Sequence, residues 1–464
     1  MSDVEAVLGA IEEDFEASLA RWMELLRIPS VSTDPQHKSD CRRAAQWLAD
    51  ELSDIGFEAQ LRDTAGHPMV TAHSGPAGAE APRVLFYGHY DVQPADPLDK
   101  WTTPPFDPVR RKDSDGMERI YARGAADDKG QLMTFVEAAR AWVKVNGRLP
   151  VETTMLFEGE EESGSPSLVP FLKANRKALK ADVALVCDTS MWDERTPAIT
   201  TRLRGLVHDE VTIIGPGIDL HSGLYGGAAW NPIRVLARIL ADVHDKNGKI
   251  AIPGFYQGVK DLPKATREQW SQLGFSERKF LGQVGLTTPA GEAGRSVLEQ
   301  LWARPTAEVN GIIAGYTGPG TKTVIPSRAS AKITFRLVGK QDPVKIRKGF
   351  RDFVKARLPK GVTAKFEVSG GASPAMELAE DNPFLARAAG ALKAEFGRPA
   401  VLMGSGGSIP VVGSFKDVLG MDSLLVGFGL NDDAIHSPNE KYNLSSFHHG
   451  IRSWARILAN LART

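Results

Sequence analysis

Two spacings of apolar residues alternate along the first half of the chain. Stretches with an apolar residue every three or four positions predict helices, and short apolar runs bounded by turn-forming residues predict strands. The helices are predicted at residues 4–27, 41–55, 130–146 and 167–172, and the strands at 57–61, 68–72, 84–87, 152–157 and 182–187. Helices and strands that alternate in this way are typical of an α/β domain with a mostly parallel sheet.

The pattern changes near Gly205. Residues 206–214 predict a strand, and residues 323–338, where apolar and polar positions alternate, and 363–368 predict antiparallel strands. Helices are predicted at 231–243, 344–358 and 383–396 and a further strand at 424–428, while no element is assigned within 245–304. The sequence therefore predicts a discontinuous α/β domain of residues 1–205 and 371–464, interrupted by an inserted α+β domain of residues 206–370.

Length and charge narrow the function classes. A chain of 464 residues exceeds the size at which one hydrophobic core stops growing, so its length predicts two or three domains. Its 56 basic and 57 acidic residues give a net charge of -1, so the net charge does not indicate binding to nucleic acid or to an anionic membrane. Cys41 and Cys187 lack C-x-x-C spacing, the N-terminus is acidic, and no apolar run approaches the roughly 20 residues that span a bilayer. We expect a cytoplasmic protein.

Acids and histidines follow several of the predicted strands. In open α/β sheets ligands bind beyond the carboxyl ends of the strands, so these side chains are candidates for one site. They are His89, Asp91, Asp127, Asp128, Glu158, Glu160, Glu161, Glu162, Asp188 and His436. Imidazoles combined with carboxylates and without a thiolate cluster suit one or two divalent ions, with Zn²⁺ favoured by the histidines and Mn²⁺ or Co²⁺ as alternatives.

Six segments resemble the motifs of one family of enzymes. They are Gly88-His-Tyr-Asp-Val-Gln-Pro94, Arg123-Gly-Ala-Ala-Asp-Asp-Lys-Gly130, Glu158-Gly-Glu-Glu-Glu-Ser-Gly-Ser165, Asp219-Leu-His-Ser-Gly-Leu-Tyr-Gly-Gly227, Thr323-Val-Ile-Pro326 and Gly406-Gly-Ser-Ile-Pro410. In this order they resemble the dinuclear-zinc exopeptidases, which include carnosine dipeptidase, carboxypeptidase G, aminoacylase-1 and acetylornithine deacetylase. The chain is most similar to the carnosine dipeptidase-like metallodipeptidases, which share a segment like Leu301-Trp…Asn310-Gly-Ile.

The resemblance implies a role for each motif residue. One metal ion would be held by His89 and Asp188, a second by Glu162 and His436, and Asp127 would bridge the two ions. Asp91 would orient His89, and Glu161 would be the general base and acid. The family also has a cis peptide after its bridging aspartate, which here would be Asp127-Asp128. The expected fold is a zinc-exopeptidase catalytic domain with an inserted lid and dimerisation domain.

The resemblance also implies that the inserted domain contributes to catalysis. His221 would stabilise the oxyanion in the site of the other subunit, so a homodimer is expected. Arg336 would bind a substrate carboxylate, since a guanidinium is a planar bidentate donor. The further substrate contacts would be Asn310, Thr323, Gly407 and Ser408.

Two departures from the carnosine dipeptidases leave the substrate open. Gly404-Ser405 stands where those enzymes have Arg-Glu, and residues 370–376 lack their pocket histidine. We therefore expect two-metal hydrolysis of the amide bond of dipeptides or small N-acylated amino acids, with deacylation or desuccinylation of N-acyl amino acids as the alternative. A binding protein on the same fold is the third hypothesis, but it would be expected to have lost Glu161 or several ligands, and this chain has lost none.

Overall fold

The computed structural model describes residues 4–78, 80–368, 371–407 and 409–462. Its helices are α1 Val4–Glu13, α2 Phe15–Leu26, α3 Lys38–Ile55, α4 Lys129–Asn146, α5 Leu168–Ala174, α6 Arg176–Leu179, α7 Ser222–Tyr225, α8 Pro232–Ala241, α9 Lys264–Ser271, α10 Glu277–Gly282, α11 Val297–Trp302, α12 Pro343–Lys355, α13 Pro383–Phe396, α14 Pro410–Ser414 and α15 Leu444–Leu461. None of the described helices has both the length and the apolar character needed to cross a bilayer.

The strands are β1 Glu58–Arg62, β2 Met69–His73, β3 Arg83–His89, β4 Val109–Lys112, β5 Glu118–Tyr121, β6 Glu152–Glu158, β7 Val183–Val186, β8 Ala198–Leu203, β9 Gly205–Ile214, β10 Leu220–His221, β11 Thr306–Ala314, β12 Val324–Ile325, β13 Arg328–Leu337, β14 Thr363–Glu367, β15 Ala372–Ser373, β16 Met376–Glu377, β17 Val401–Ser405, β18 Ser423–Leu425 and β19 Lys441–Asn443. The chain forms two units, one of residues 1–201, 378–403 and 414–464 and one of residues 202–377 and 404–413. The domain boundaries proposed from sequence stay a prediction.

The first unit contains a large central sheet. Its strands run in the order β1-β2-β6-β3-β7-β18-β8, and the central strands β6, β3, β7 and β18 are parallel to one another. Every residue of β7 is buried, as expected for a parallel strand covered on both faces. The prediction of an α/β unit with a mostly parallel sheet is confirmed.

Aromatic residues join the sheet to its helices. Phe86 on β3 stacks on Phe135 of α4 with ring centroids 3.7 Å apart, and Trp454 of α15 meets both rings edge-on. All three side chains are buried. Helix α15 was not assigned from the sequence, although its buried residues recur at helical spacing. This packing fixes α4, the helix that begins beside the candidate Asp127.

The second unit is built on an antiparallel sheet in the order β11-β13-β9-β14. Buried and less buried residues alternate along β9 and β13, and the buried faces pack with α8 and α12 in one core. The predicted strand 323–338 is two strands, β12 and β13, because Pro326 and Ser327 interrupt it. The unassigned stretch 245–304 holds three short helices, α9, α10 and α11, and strand β11 follows it.

Candidate metal centre

Three neighbouring parallel strands bring the first candidate residues to one edge of the sheet. Strand β3 ends at His89, β6 ends just before the 3₁₀ turn Glu161–Ser163, and β7 ends two residues before Asp188. Because β6, β3 and β7 are adjacent and parallel, their carboxyl ends meet. The pattern of apolar runs followed by acids and histidine thus corresponds to one cluster.

Two groups of side chains in this cluster have the geometry of metal ligands. His89, Asp127 and Asp188 form one group and Asp127, Glu162 and His436 the other, with ligand atoms within 4.8 Å of one another in each. The two oxygens of Asp127 face different histidines: Oδ1 is 3.2 Å from His89 Nε2, and Oδ2 is 2.9 Å from His436 Nε2. The carboxylate of Asp127 therefore belongs to both groups. Glu161 belongs to neither.

The donor atoms are compatible with divalent cations. His89 Nδ1 lies 3.1 Å from the carbonyl oxygen of Asp91, and since a carbonyl only accepts, this nitrogen carries the proton and Nε2 keeps a free lone pair. His89 Nε2 and Glu162 Oε1 are buried and lack a hydrogen-bond partner among the described residues. Two ligands each about 2.0–2.1 Å from a tetrahedral Zn²⁺ lie about 3.3 Å apart, and His436 Nε2 is 3.2 Å from Glu162 Oε1.

The charges in the cluster also favour a cation. Burial, together with the neighbouring Glu162 and Asp91, raises the pKa of Glu161 to about 7 although His89 opposes the shift. Burial and the charges of Asp127 and Asp128 raise the pKa of Asp188 well above its ordinary value. The carboxylates of Asp127 and Glu162, which lie 2.9 and 3.2 Å from His436 Nε2, raise the pKa of His436 to about 10. The cluster thus has an excess of negative charge that divalent ions would neutralise.

Asp91 contacts more of the cluster than the sequence indicated. Its buried carboxylate lies 3.4 Å from His89 Nδ1 and accepts hydrogen bonds from the backbone N–H groups of Glu161 (3.2 Å) and Glu162 (3.1 Å). Asp91 therefore links the histidine to the turn that carries both glutamates. Gln93 adds a second support, because its Nε2 donates to Glu162 Oε2 at 2.7 Å.

The Asp127-Asp128 peptide bond is cis, as the family resemblance implied. Asp128 is fully buried, and its carboxylate accepts a hydrogen bond from the backbone N–H of His89 at 3.1 Å without capping α4. A Cβ at Gly88 would lie 2.9 Å from Leu132 Cβ and 3.0 Å from Asp128 Oδ2. Only glycine lets strand β3 approach α4 this closely.

Glu440 was missed in the sequence analysis. It is fully buried, and its carboxylate accepts hydrogen bonds from the backbone N–H groups of Gly124 (2.9 Å), Ala126 (2.9 Å) and Asp127 (3.0 Å) and from Arg123 Nη1 (2.8 Å). This one side chain fixes the loop that presents Asp127. The only signal in the sequence was an acid four residues after His436.

The second unit holds the other candidate residues, on strands and loops. Strand β10 pairs with β12, so His221 lies opposite Val324, and the Thr323 carbonyl accepts a hydrogen bond from Ser222 N at 3.0 Å. His221 Nδ1 accepts from Gly223 N at 3.0 Å, so in the neutral ring the proton is on Nε2. His221 and Thr323 are thus brought together, both exposed.

Asn310 lies exposed on β11 at the irregularity between Val309 and Gly311. Arg336 lies on β13, paired with Leu206 on one side and Thr306 on the other. Within the part of the chain that the structure describes, no hydrogen bond joins Asn310 or Arg336 to His221 or Thr323. Gly407 is exposed, and Ser408 lies outside the described residues.

The fold and the clustered ligands define a metallopeptidase, and the chain belongs to the peptidase family M20/M25/M40, whose model matches residues 85–460. Among its relatives is the Cys-Gly metallodipeptidase of Candida albicans, 31% identical over 97% of this chain and 96% of that protein. The human Beta-Ala-His dipeptidase is 28% identical over 97% of this chain and 91% of its own length. A solved M20 family metallo-carboxypeptidase from Sulfolobus solfataricus superposes with a TM-score of 0.80, at 29% identity, over 96% of this chain and 99% of that one.

Proposed function

We propose that the protein hydrolyses the amide bond of dipeptides with two divalent metal ions, Zn²⁺ being the first choice. The observation that carries this proposal is the pair of ligand groups that share Asp127, together with Glu161, which belongs to neither group and whose carboxylate is influenced by the charges of His89 and Asp127. The relatives named for the hydrolysis of Cys-Gly and Beta-Ala-His support dipeptides as the substrate class. The two buried free cysteines, Cys41 and Cys187, are compatible with the cytoplasmic location proposed for it.

The chemical roles follow from the residue types. His89 and Asp188 would hold one ion, Glu162 and His436 the other, and Asp127 both. When bound, such ions polarise a scissile carbonyl and lower the pKa of a water molecule. Glu161 takes a proton from the attacking water and delivers it to the leaving nitrogen. Its backbone N–H is anchored on Asp91, and this anchoring keeps the carboxylate in place during both transfers.

The second unit supplies the substrate contacts in this proposal. Arg336 binds the carboxylate of the substrate, and Asn310, Thr323, Gly407 and Ser408 are proposed as further substrate contacts. His221 donates its Nε2–H to the oxyanion in the site of a second copy of the chain, so the working unit is a homodimer. Its exposure supports that role, as do the exposed apolar residues Ile312 and Ile313 on β11, which lies at the edge of its sheet among the described strands.

Adjacent substitutions test the proposal. Glu161→Gln should retain the metal content of the wild type and lose activity on dipeptides by orders of magnitude, because only the proton carrier is removed. Glu162→Gln is the matched variant: it should lose up to one ion per chain, because it removes a ligand. Metal is measured by elemental analysis, and hydrolysis is screened on dipeptides against N-acetyl and N-succinyl amino acids with Zn²⁺, Mn²⁺ and Co²⁺.

Several outcomes would contradict the proposal. Full activity of Glu161→Gln would remove Glu161 as the base. A wild-type protein that binds well under one ion per chain and keeps its activity in EDTA would rule out the metal mechanism. Turnover of N-acyl amino acids in place of dipeptides would favour the deacylase alternative, and a fully active monomer would exclude His221 acting on a second copy.

A further inference from the structure

Arg204 is a buried cation without an acidic partner. It immediately precedes β9 and is 9% exposed. Its Nε donates to the Gly406 carbonyl at 3.0 Å, and its backbone N–H donates to the Gly407 carbonyl at 3.2 Å. Within the described ranges, its guanidinium makes no other hydrogen bond and no ion pair. A buried charge left without a counter-charge is unfavourable, so a fold that keeps one usually has a use for it.

A second cation without a partner lies beside Arg204. Arg336 on β13 is paired with Leu206, which is two residues after Arg204, and the charge of Arg336 acts on Arg204. In the described part of the chain Arg336 likewise has no ion pair. Burial, aided by the charge of Arg336, lowers the pKa of Arg204 to about 10, and burial also lowers the pKa of Arg336. The fold therefore holds two cations that repel each other.

The described residues around the guanidinium of Arg204 do not supply it with a counter-charge, and the one beside its Nη2 is a glycine. A Cβ added at Gly406 would lie 3.1 Å from Arg204 Nη2, so a side chain there would crowd this group. Arg202, two residues earlier, differs from Arg204 because Glu377 neutralises it. Glu308 on β11 influences Arg204 electrostatically but makes no ion pair with it. The missing counter-charge is therefore expected from outside the chain.

We infer that Arg204 is a second carboxylate-binding residue, which together with Arg336 recognises the C-terminal carboxylate of the substrate. This inference rests on the proposed dipeptidase function and extends it, because two guanidinium groups make the free carboxylate a requirement for binding. A carboxylate has two oxygens and about four lone-pair sites, enough for both arginines. The hydrogen bond from Arg204 Nε to Gly406 fixes the plane of the guanidinium, so its remaining N–H groups are oriented before the substrate arrives.

The test compares a dipeptide with its C-terminal amide, using the metal-loaded protein. Wild type should prefer the free carboxylate. Arg204→Gln should raise KM for the dipeptide about 10- to 100-fold, the contribution of one charge-assisted hydrogen bond, and change hydrolysis of the amide little. The preference for the dipeptide, taken as the ratio of kcat/KM values, should fall by the same factor. Arg202→Gln is the matched control and should leave this ratio unchanged.

Arg204→Lys covers the case in which the glutamine variant does not fold, because lysine keeps the charge but lacks the planar pair of donors. It should show a partial loss of the same ratio. If both Arg204 variants weaken hydrolysis of the dipeptide and the amide equally, Arg204 only supports the Gly406-Gly407 loop and the inference is wrong. A wild type that cleaves both compounds equally well also overturns the inference but not dipeptide hydrolysis itself. A wild type that cleaves neither overturns the proposed function, and the inference with it.

Discussion

Replacing Glu440 with glutamine should weaken both the fold and the binding of metal. The carboxylate of Glu440 accepts four hydrogen bonds, three from the backbone of the loop that carries Asp127 and one from Arg123. Each of its two oxygens accepts two of these bonds. In the glutamine variant an NH₂ group replaces one of these oxygens. The two N–H groups that donated to that oxygen then face another donor, so two hydrogen bonds are lost.

The magnitude follows from the burial of both partners. Arg123 is 1% exposed, and removing the charge of Glu440 leaves its guanidinium buried without an ion-pair partner. Breaking a buried charge pair from one side typically costs about 3–5 kcal/mol, and we expect a loss of that size in the free energy of unfolding of the metal-free protein. Because the same bonds position Asp127, metal affinity should also fall by about 10- to 100-fold.

Two assays separate these effects. Urea denaturation after treatment with EDTA measures the stability of the fold alone, and calorimetric titration with Zn²⁺ or Mn²⁺ measures metal affinity. Glu137→Gln is the control, because Glu137 is also buried and paired with an arginine, Arg21, but does not touch the Asp127 loop. It should lose stability and keep metal affinity. If Glu440→Gln behaves in the same way, the idea that Glu440 positions Asp127 is wrong, and undiminished stability would refute the energetic argument.

Two further predictions concern carboxylates that accept several hydrogen bonds. Asp91→Asn should lower kcat by a larger factor than it lowers the metal content, because the Asp91 carboxylate holds the backbone of Glu161 as well as orienting His89. If kcat and metal content fall by the same factor, Asp91 acts only on metal binding. Burial opposes ionisation of Glu395, but hydrogen bonds from His449 and from Arg452 and Arg456 lower its pKa to about 2. Its folded-state pKa lies below the ordinary value of about 4.3, so its stabilisation is present above that pH and is lost as the pH falls toward 2. Between pH 4 and pH 3, the free energy of unfolding measured by urea titration should fall by about 1 kcal/mol more in the wild type than in Glu395→Gln. Equal falls in the two proteins would contradict this prediction.

The sequence predicted elements best where one periodicity ran without interruption. Helix α13 was predicted at its observed bounds, 383–396, and α3 ends before Gly56 as expected. The helical pattern over 4–27 instead forms α1 and α2, which are separated at Asp14, because apolar spacing does not reveal a break in the backbone. Strand β11 was not predicted, since an edge strand with several exposed residues does not show a clear alternation of apolar and polar positions.

The candidate ligands were found because each follows a strand or lies in a recognisable motif. The residues that support them were harder to find. Glu440 and Gln93 act on the cluster through backbone groups or through a single side chain far away in sequence. Such contacts depend on how loops meet in three dimensions, and no periodicity or spacing encodes them. Arg204 was missed for a different reason. What distinguishes it is that no acidic side chain pairs with it among the described residues, and a sequence does not show which charges stay unpaired.

The shared carboxylate of Asp127 would make the two proposed metal sites thermodynamically linked. Because its oxygens face different histidines, an ion bound in one group would fix the orientation of a ligand of the other. Any change that one ion makes in the affinity for the second must, by reciprocity, act equally in reverse. Under this proposal a substitution at His89, Asp188, Glu162 or His436 would damage one site, whereas a substitution at Asp127 would remove a ligand from both.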